Sequence, residues 1–236
     1  MMTKQRKLRL RQKIQASRGR LMASHPFFGL LLMYLKFVAV PDIKKISTNG
    51  RCIYFSPDFV DKLYDHELDY ILCHQIMHII YGHIWRPYDR EGDDYHFACD
   101  IQINTLLTRC GFIEERYAHL GNVYRKVPSK DNTPIEMTPE EIFISLPYSL
   151  YVFDERTRSK FLMDSDLWWN EKDDTGIFGE IVIDLPELDG MLRESKDEPD
   201  SYSTEEGGSG DSEGELKQQW QGRAASAAGS LAAMQD

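Results

Sequence analysis

The sequence predicts an α+β fold, mainly helical, with a small antiparallel β-hairpin or sheet. Apolar residues recur at helical spacing through most of the first half of the chain. Asn49-Gly50 separates two short alternating runs, the pattern of a tight hairpin. The stretch from about Glu67 to Tyr81 is apolar nearly all round, which marks a buried helix.

At the N-terminal end, Lys4, Arg6, Lys7, Arg9, Arg11, Lys13, Arg18 and Arg20 come with no acid among them. They read as the solvated face of a basic helix over 1–25 whose packed side is Leu8, Leu10, Ile14 and Leu21. Nucleic acid is the other reading of such a helix, but no aromatic interleaving or recognition motif supports it. His25-Pro26 opens a second apolar helix running through Phe27, Phe28, Leu30, Leu31, Leu32, Tyr34, Leu35 and Val38, with proline in its first turn. Ile43 to Ser47 and Arg51 to Phe55 are the hairpin strands, and Ser56-Pro57 starts a short helix to about Leu63. The buried helix takes Asp65 as its cap and Gly82 as its stop. Another runs from Asp93 or Asp94 to Gly111, and Thr138-Pro139-Glu140-Glu141 opens a short one. Beyond it only possible strands, Leu150 to Phe153 and Glu180 to Ile183, and a Trp168-Trp169 pair stand out. Glu194 to Glu215 has the composition of a hydrated linker, and Leu216 to Met234 is helical in character. The expected organisation is a basic helix over 1–25, a main domain over 26–190, an acidic linker over 191–215 and a terminal helix over 216–236.

Composition bounds the class. Hydrophobic content of 42% and charged content of 28% suit a globular chain, and its net charge of −10 is concentrated towards the C-terminal end. The longest apolar run, Pro26 to Val40, is shorter than the roughly 20 residues a bilayer requires and contains Lys36. The N-terminus lacks the apolar core of a secretory signal, so a cytoplasmic location is expected and no membrane association. The four cysteines form no C-x-x-C pair, which argues against a disulfide framework or a cysteine zinc cage.

His74-Gln75-Ile76-Met77-His78 is the chemically richest stretch. Side chains at i and i+4 share a helix face, so both imidazoles can reach one tetrahedral metal. The alternative is a pair of core histidines satisfied by ordinary hydrogen bonds. In the zinc-peptidase signature H-E-x-x-H the Glu takes a proton from water on the metal. Gln75 occupies that position, and an amide is no base near neutral pH. Asp100, in the middle of a buried helix, is the favoured third ligand, because a lone buried carboxylate is costly; the alternative is an ion pair with Arg86. His96 and Asn104 share its helix face and are expected to support the ligands by hydrogen bonding, although His96 could itself be one. His83 lies about 180° round from His74 on a continuing helix and reads as a helix-end residue.

These residues resemble a known family. Gly50-Arg51-Cys52-Ile53-Tyr54-Phe55-Ser56-Pro57, the His74 to His78 run with Gly82-His83 and Arg86, Ala98-x-Asp100-x-x-Ile103-Asn104, and Glu140-Glu141-Ile142-Phe143 resemble a metallopeptidase-type domain found N-terminal to a von Willebrand factor A-like domain. The resemblance covers roughly Pro26 to Leu146 well. It implies a zincin-like fold, two helix histidines and the downstream aspartate on Zn2+, a peptide or protein substrate, and an association with a MoxR-type AAA+ ATPase. It also implies a following A-like domain, to which the linker and terminal helix would lead, so the chain reads as cut from a longer protein. Two positions depart from the pattern: Gln75 stands for Glu, and Asp164-Ser165-Asp166 stands where D-x-H is expected. The expected function is a zinc metallopeptidase-like domain, inactive as written at Gln75, either by a deliberate Glu→Gln change, the reading favoured here, or as a natural pseudoenzyme. The alternative is a non-catalytic, zinc-containing adaptor for the ATPase.

Overall fold

Leu10, Ile14, Ser17 and Leu21 fall on one face of α1 (Lys4–Ser24) and are all buried in the computed structural model, which describes residues 2–85, 93–112, 137–145, 180–183 and 213–233. Leu8, expected on that face, is instead 56% exposed, because two residues before Leu10 places it about 200° away round the helix. The polar face of α1 is clamped to its neighbours. Arg6 pairs with Asp58 and Asp61, Arg9 with Asp61, and Arg20 with Asp65 and Asp69, while Lys7 reaches Glu180. Lys13 donates to the carbonyl of Val60 at 2.8 Å, and the buried Ser17 hydroxyl donates to Asp69. Each exposed pair is worth little alone. Together they fix how α1 lies along the acidic faces of the helices that follow the sheet.

The second apolar run does not stay helical. α2 (Pro26–Leu32) ends after seven residues, and the chain turns into strand β1 (Lys36–Ala39). An apolar run has no periodicity to separate helix from strand, so its partner decides: β1 lies parallel to β3, with Lys36 opposite Cys52 and Ala39 opposite Phe55. Arg18 stabilises the break by donating to the carbonyls of Leu32 and Leu35, at 2.8 and 2.9 Å. The expected hairpin is present as β2 (Ile46–Thr48) antiparallel to β3 (Cys52–Phe55). In its turn the Asn49 side chain accepts from the N–H groups of Arg51 and Cys52, and Gly50 takes φ +81°. Glu180–Ile183 forms β4, antiparallel to β1, which completes a mixed sheet of order β2-β3-β1-β4. The sheet is therefore larger than a hairpin, and one of its pairings is parallel. Phe37, Ala39, Ile46, Ile53 and Phe55 join the main core from one face, while Val38, Val40 and Tyr54 form a small separate cluster.

α3 (Pro57–Lys62) leads into α4 (Asp65–Ile80), against which α1, α2 and β2 all lie. Asp65 is the first residue of α4 rather than its cap: Tyr64 stands before it, and its N–H donates to the Glu67 carboxylate at 2.6 Å. α4 stops at Gly82, with φ +68°, and His83–Trp85 forms a single 3-10 turn. α5 (Asp93–Arg109) packs beside α4, and α6 (Pro139–Ser145) packs on α5 through Ala98, Ile101 and Ile142. At the start of α6, Thr138 and Glu141 cap each other reciprocally. The last helix, α7 (Glu213–Ala233), lies against α2 and α4. Its Trp220 is fully buried and donates its indole N–H to the Gly50 carbonyl at 2.7 Å. No helix among the described residues is long and apolar enough to cross a membrane. The strand expected at Leu150 to Phe153, the Trp168-Trp169 pair, Asp164-Ser165-Asp166, Arg86 and the acidic stretch before Glu213 lie outside the described residues.

Two substitutions test this packing. Gly50→Ala forces a side chain into a left-handed backbone and sets its Cβ 3.0 Å from the Trp85 ring and 3.2 Å from Ile84. The expected loss is about 1–3 kcal/mol in denaturant unfolding, and an unchanged midpoint would contradict the turn geometry. Trp220→Ala removes the anchor of α7. It should cost about 3–5 kcal/mol by the same measurement, whereas a loss below about 1 kcal/mol would mean that α7 adds nothing to the core.

Candidate metal centre

Tyr70, His74 and His78 occur at successive four-residue steps of α4, so all three side chains sit on one stripe of the helix. His96, Asp100 and Asn104 repeat the same spacing on α5. Where the two stripes face each other, His74 Nε2 and His78 Nε2 each lie 3.1 Å from Asp100 Oδ1 and 2.9 Å from one another. His74, His78 and Asp100 thus form a buried group that could hold a metal ion, with their donor atoms all within 4.8 Å. His74 and His78 are fully buried, and Asp100 is 2% exposed.

The donors fit a cation. Asn104 Oδ1 accepts from the Tyr70 hydroxyl at 2.6 Å and from His74 Nδ1–H at 3.2 Å. A neutral imidazole that gives its one proton to Asn104 turns a bare lone pair at Nε2 towards Asp100. A lone pair and a carboxylate oxygen at 3.1 Å repel unless positive charge stands between or beside them. Bonds of about 2.0–2.1 Å to a tetrahedral ion would separate ligand atoms by about 3.3–3.4 Å, so the side chains need to open by only a few tenths of an ångström.

Asp100 shows the same demand for positive charge. Burial pushes its carboxyl up, yet the positive charge that His96 and His74 can carry, with hydrogen bonds from His74 and His78, outweighs this and holds it well below the usual carboxylate range. Protons on the imidazoles and a metal ion among them are two ways of supplying the charge that this carboxylate requires.

The other sequence candidates fall around this group. Asn104 stands behind His74, on the side away from Asp100. His96 lies beside Asp100, with its Nε2 3.6 Å from Oδ1 and its ring 5.5 Å from that of His78, so it flanks the three converging donors without joining them. Gln75 is fully buried on α4. Residues outside the candidate set complete the surroundings. His83 is fully buried rather than capping a helix end, and its Nδ1 lies 3.3 Å from His78 Nδ1. Its angular position on a continuing helix is misleading, because the helix ends at Gly82 and the 3-10 turn swings the imidazole back towards α4. The other ring nitrogen faces Gln102 Oε1 at 3.1 Å, and Gln102 Nε2 donates to the Met137 carbonyl at 3.0 Å. Tyr70 was legible from its spacing to His74. His83 and Gln102 carry no periodic signal, since each depends on where a turn or a neighbouring helix places it.

A family model described as "Putative metallopeptidase domain" matches residues 9–236. No curated protein and no solved structure matches the chain. The family match runs from the first helix to the last and includes both histidines of α4 and the aspartate of α5, so the chain belongs to this putative metallopeptidase domain family.

Proposed function

We propose that the chain is a zinc-binding, metallopeptidase-type domain acting on peptide or protein, with its hydrolytic step suppressed at Gln75. The observation that carries the proposal is the convergence of two imidazole nitrogens and one carboxylate oxygen, all buried, from facing stripes of α4 and α5. Two nitrogens and one oxygen suit zinc, which in hydrolytic sites takes three protein ligands and keeps one position open. Bound there, the ion would polarise a carbonyl and activate water near neutral pH.

The chain's own residues divide the remaining work. His74, His78 and Asp100 would hold the ion, and Asn104 orients the His74 imidazole through Nδ1. His96 stands beside Asp100, its Nε2 3.6 Å from Oδ1, and when protonated would favour the ionised carboxylate. Gln75 follows His74 where the peptidase signature has its proton acceptor, and the amide can hydrogen-bond there but cannot take up the proton. Loss of a general base costs roughly 10²–10⁴-fold in rate.

A second reading has a specific observation in its favour. His74, Gln75 and His78 are fully buried and Asp100 nearly so, an enclosure that suits an ion serving structure. In that reading the protein is a non-catalytic adaptor for a MoxR-type AAA+ ATPase, a partner proposed from the sequence resemblance.

Metal analysis tests the common ground of both readings. The purified chain should carry about one zinc per molecule, and His78→Ala should lose it. An unsubstituted chain that stays zinc-free after loading and desalting would remove the basis of both. Hydrolysis separates them: with zinc loaded, Gln75→Glu should cleave an unstructured protein while the Gln75 chain stays at least about 10²-fold slower. Silence in both forms would reject the peptidase reading in favour of the adaptor.

A further inference from the structure

His83 touches a candidate ligand, yet its role is not given by the peptidase signature or by the helix spacing. Its imidazole is fully buried between His78 and Gln102, with one ring nitrogen towards each. The proton positions along this relay are set from its far end. The Met137 carbonyl can only accept, so the Gln102 amide nitrogen donates to it and the amide oxygen is turned towards His83. That oxygen can only accept as well, which places the His83 proton on Nε2 and leaves a lone pair on Nδ1. The lone pair faces His78 Nδ1 at 3.3 Å, so the proton between the two rings belongs to His78. A neutral His78 has then used its only proton on the side away from Asp100, and its Nε2 lone pair is left directed at the ligand cluster.

We propose that His83 is a positioning residue that fixes His78 as its Nδ1–H tautomer, through a relay ending on the Met137 carbonyl, so that His78 Nε2 is ready to bind the metal. The proposal rests on the metal-binding reading of His74, His78 and Asp100. The two imidazoles of α4 are then served separately from α5: Asn104 takes the His74 proton directly, and Gln102 takes up the His78 side through His83. The relay also ties metal affinity to α6. Met137 precedes that helix, which is seated by Ile142 against Ala98 and Ile101, so docking of α6 holds the carbonyl on which the proton order depends. With the order reversed, a hydrogen would stand on His78 Nε2, in the space 2.9 Å from His74 Nε2 and 3.1 Å from Asp100.

The test compares the full chain with His83→Phe, His83→Gln and Gln102→Met, measuring zinc affinity by competition with a chromophoric chelator and folding by thermal unfolding of the metal-free proteins. His83→Phe keeps a ring of similar size without an acceptor and should weaken zinc binding about 10–100-fold while remaining folded. His83→Gln restores an oxygen acceptor and should recover most of the loss. Gln102→Met should weaken binding in the same direction by a smaller factor. A folded His83→Phe chain that binds zinc as tightly as the parent chain overturns the proposal. If that variant does not fold, nitrogen-15 imidazole spectra of the zinc-loaded parent chain decide: protons on His78 Nδ1 and His83 Nε2 are expected, and the reverse assignment on either ring overturns it. A parent chain that takes up no zinc is a different result, since it sinks the metal reading itself and this proposal with it.

Discussion

The carboxylate of Asp100 is the constraint around which the rest of the molecule is arranged. A charge this deeply buried is tolerated only where compensating charge and hydrogen bonds are fixed in place, and three imidazoles surround it. Because two of them lie one helical turn apart on α4, the carboxylate on α5 ties the two helices into one unit. Lone pairs and negative charge so close together favour a cation in electrostatic terms before any function is considered. Removing the aspartate would relieve the charge and strand the imidazoles, whereas removing an imidazole would leave the charge behind.

Everything that positions this group lies further out. α4 is the helix on which α1, α2, α5 and α7 converge, and its own burial lets it carry polar residues only where they meet partners. Tyr70 and Asn104 serve His74, while His83, Gln102 and the carbonyl before α6 serve His78. The far side of α4 is held by α1, whose arginines grip the acids of α3 and α4, and by α7, whose tryptophan closes on the hairpin turn. The basic N-terminal segment therefore places much of its charge in ion pairs with its own chain, at the surface. Its neutralisation by Asp58, Asp61, Asp65 and Asp69 is a packing device, since each pair is weak but their sum sets the helix direction.

In the proposed reading Gln75 separates binding from chemistry. A glutamine has nearly the shape of the glutamate of the peptidase signature, so it would leave the packing of α4 intact while lacking the one function an amide cannot perform. The same burial that would strengthen every electrostatic interaction at an ion there also limits access to it, which is why the hydrolytic and structural readings diverge on activity but agree on the ligands.

The sequence by itself determined the features that local periodicity and short-range capping control. The shared face of His74 and His78, the Asp100–Asn104 stripe, the Asn49-Gly50 turn, the reciprocal cap at Thr138 and Glu141, and the stop at Gly82 are all set by residues within a few positions of one another. Tertiary structure decided whatever required a partner distant in the chain. The apolar run after Pro26 becomes β1 because β3 and β4 offer hydrogen bonds on both sides, and nothing within the run itself tells strand from helix. Leu8 faces out because only one side of α1 meets the core. His83 reaches His78 because the chain leaves the helix at Gly82, and Gln102 matters because the segment leading into α6 presents a carbonyl to it. A period in the sequence fixes which side chains share a face, but what that face meets depends on contacts made only when separate elements come together.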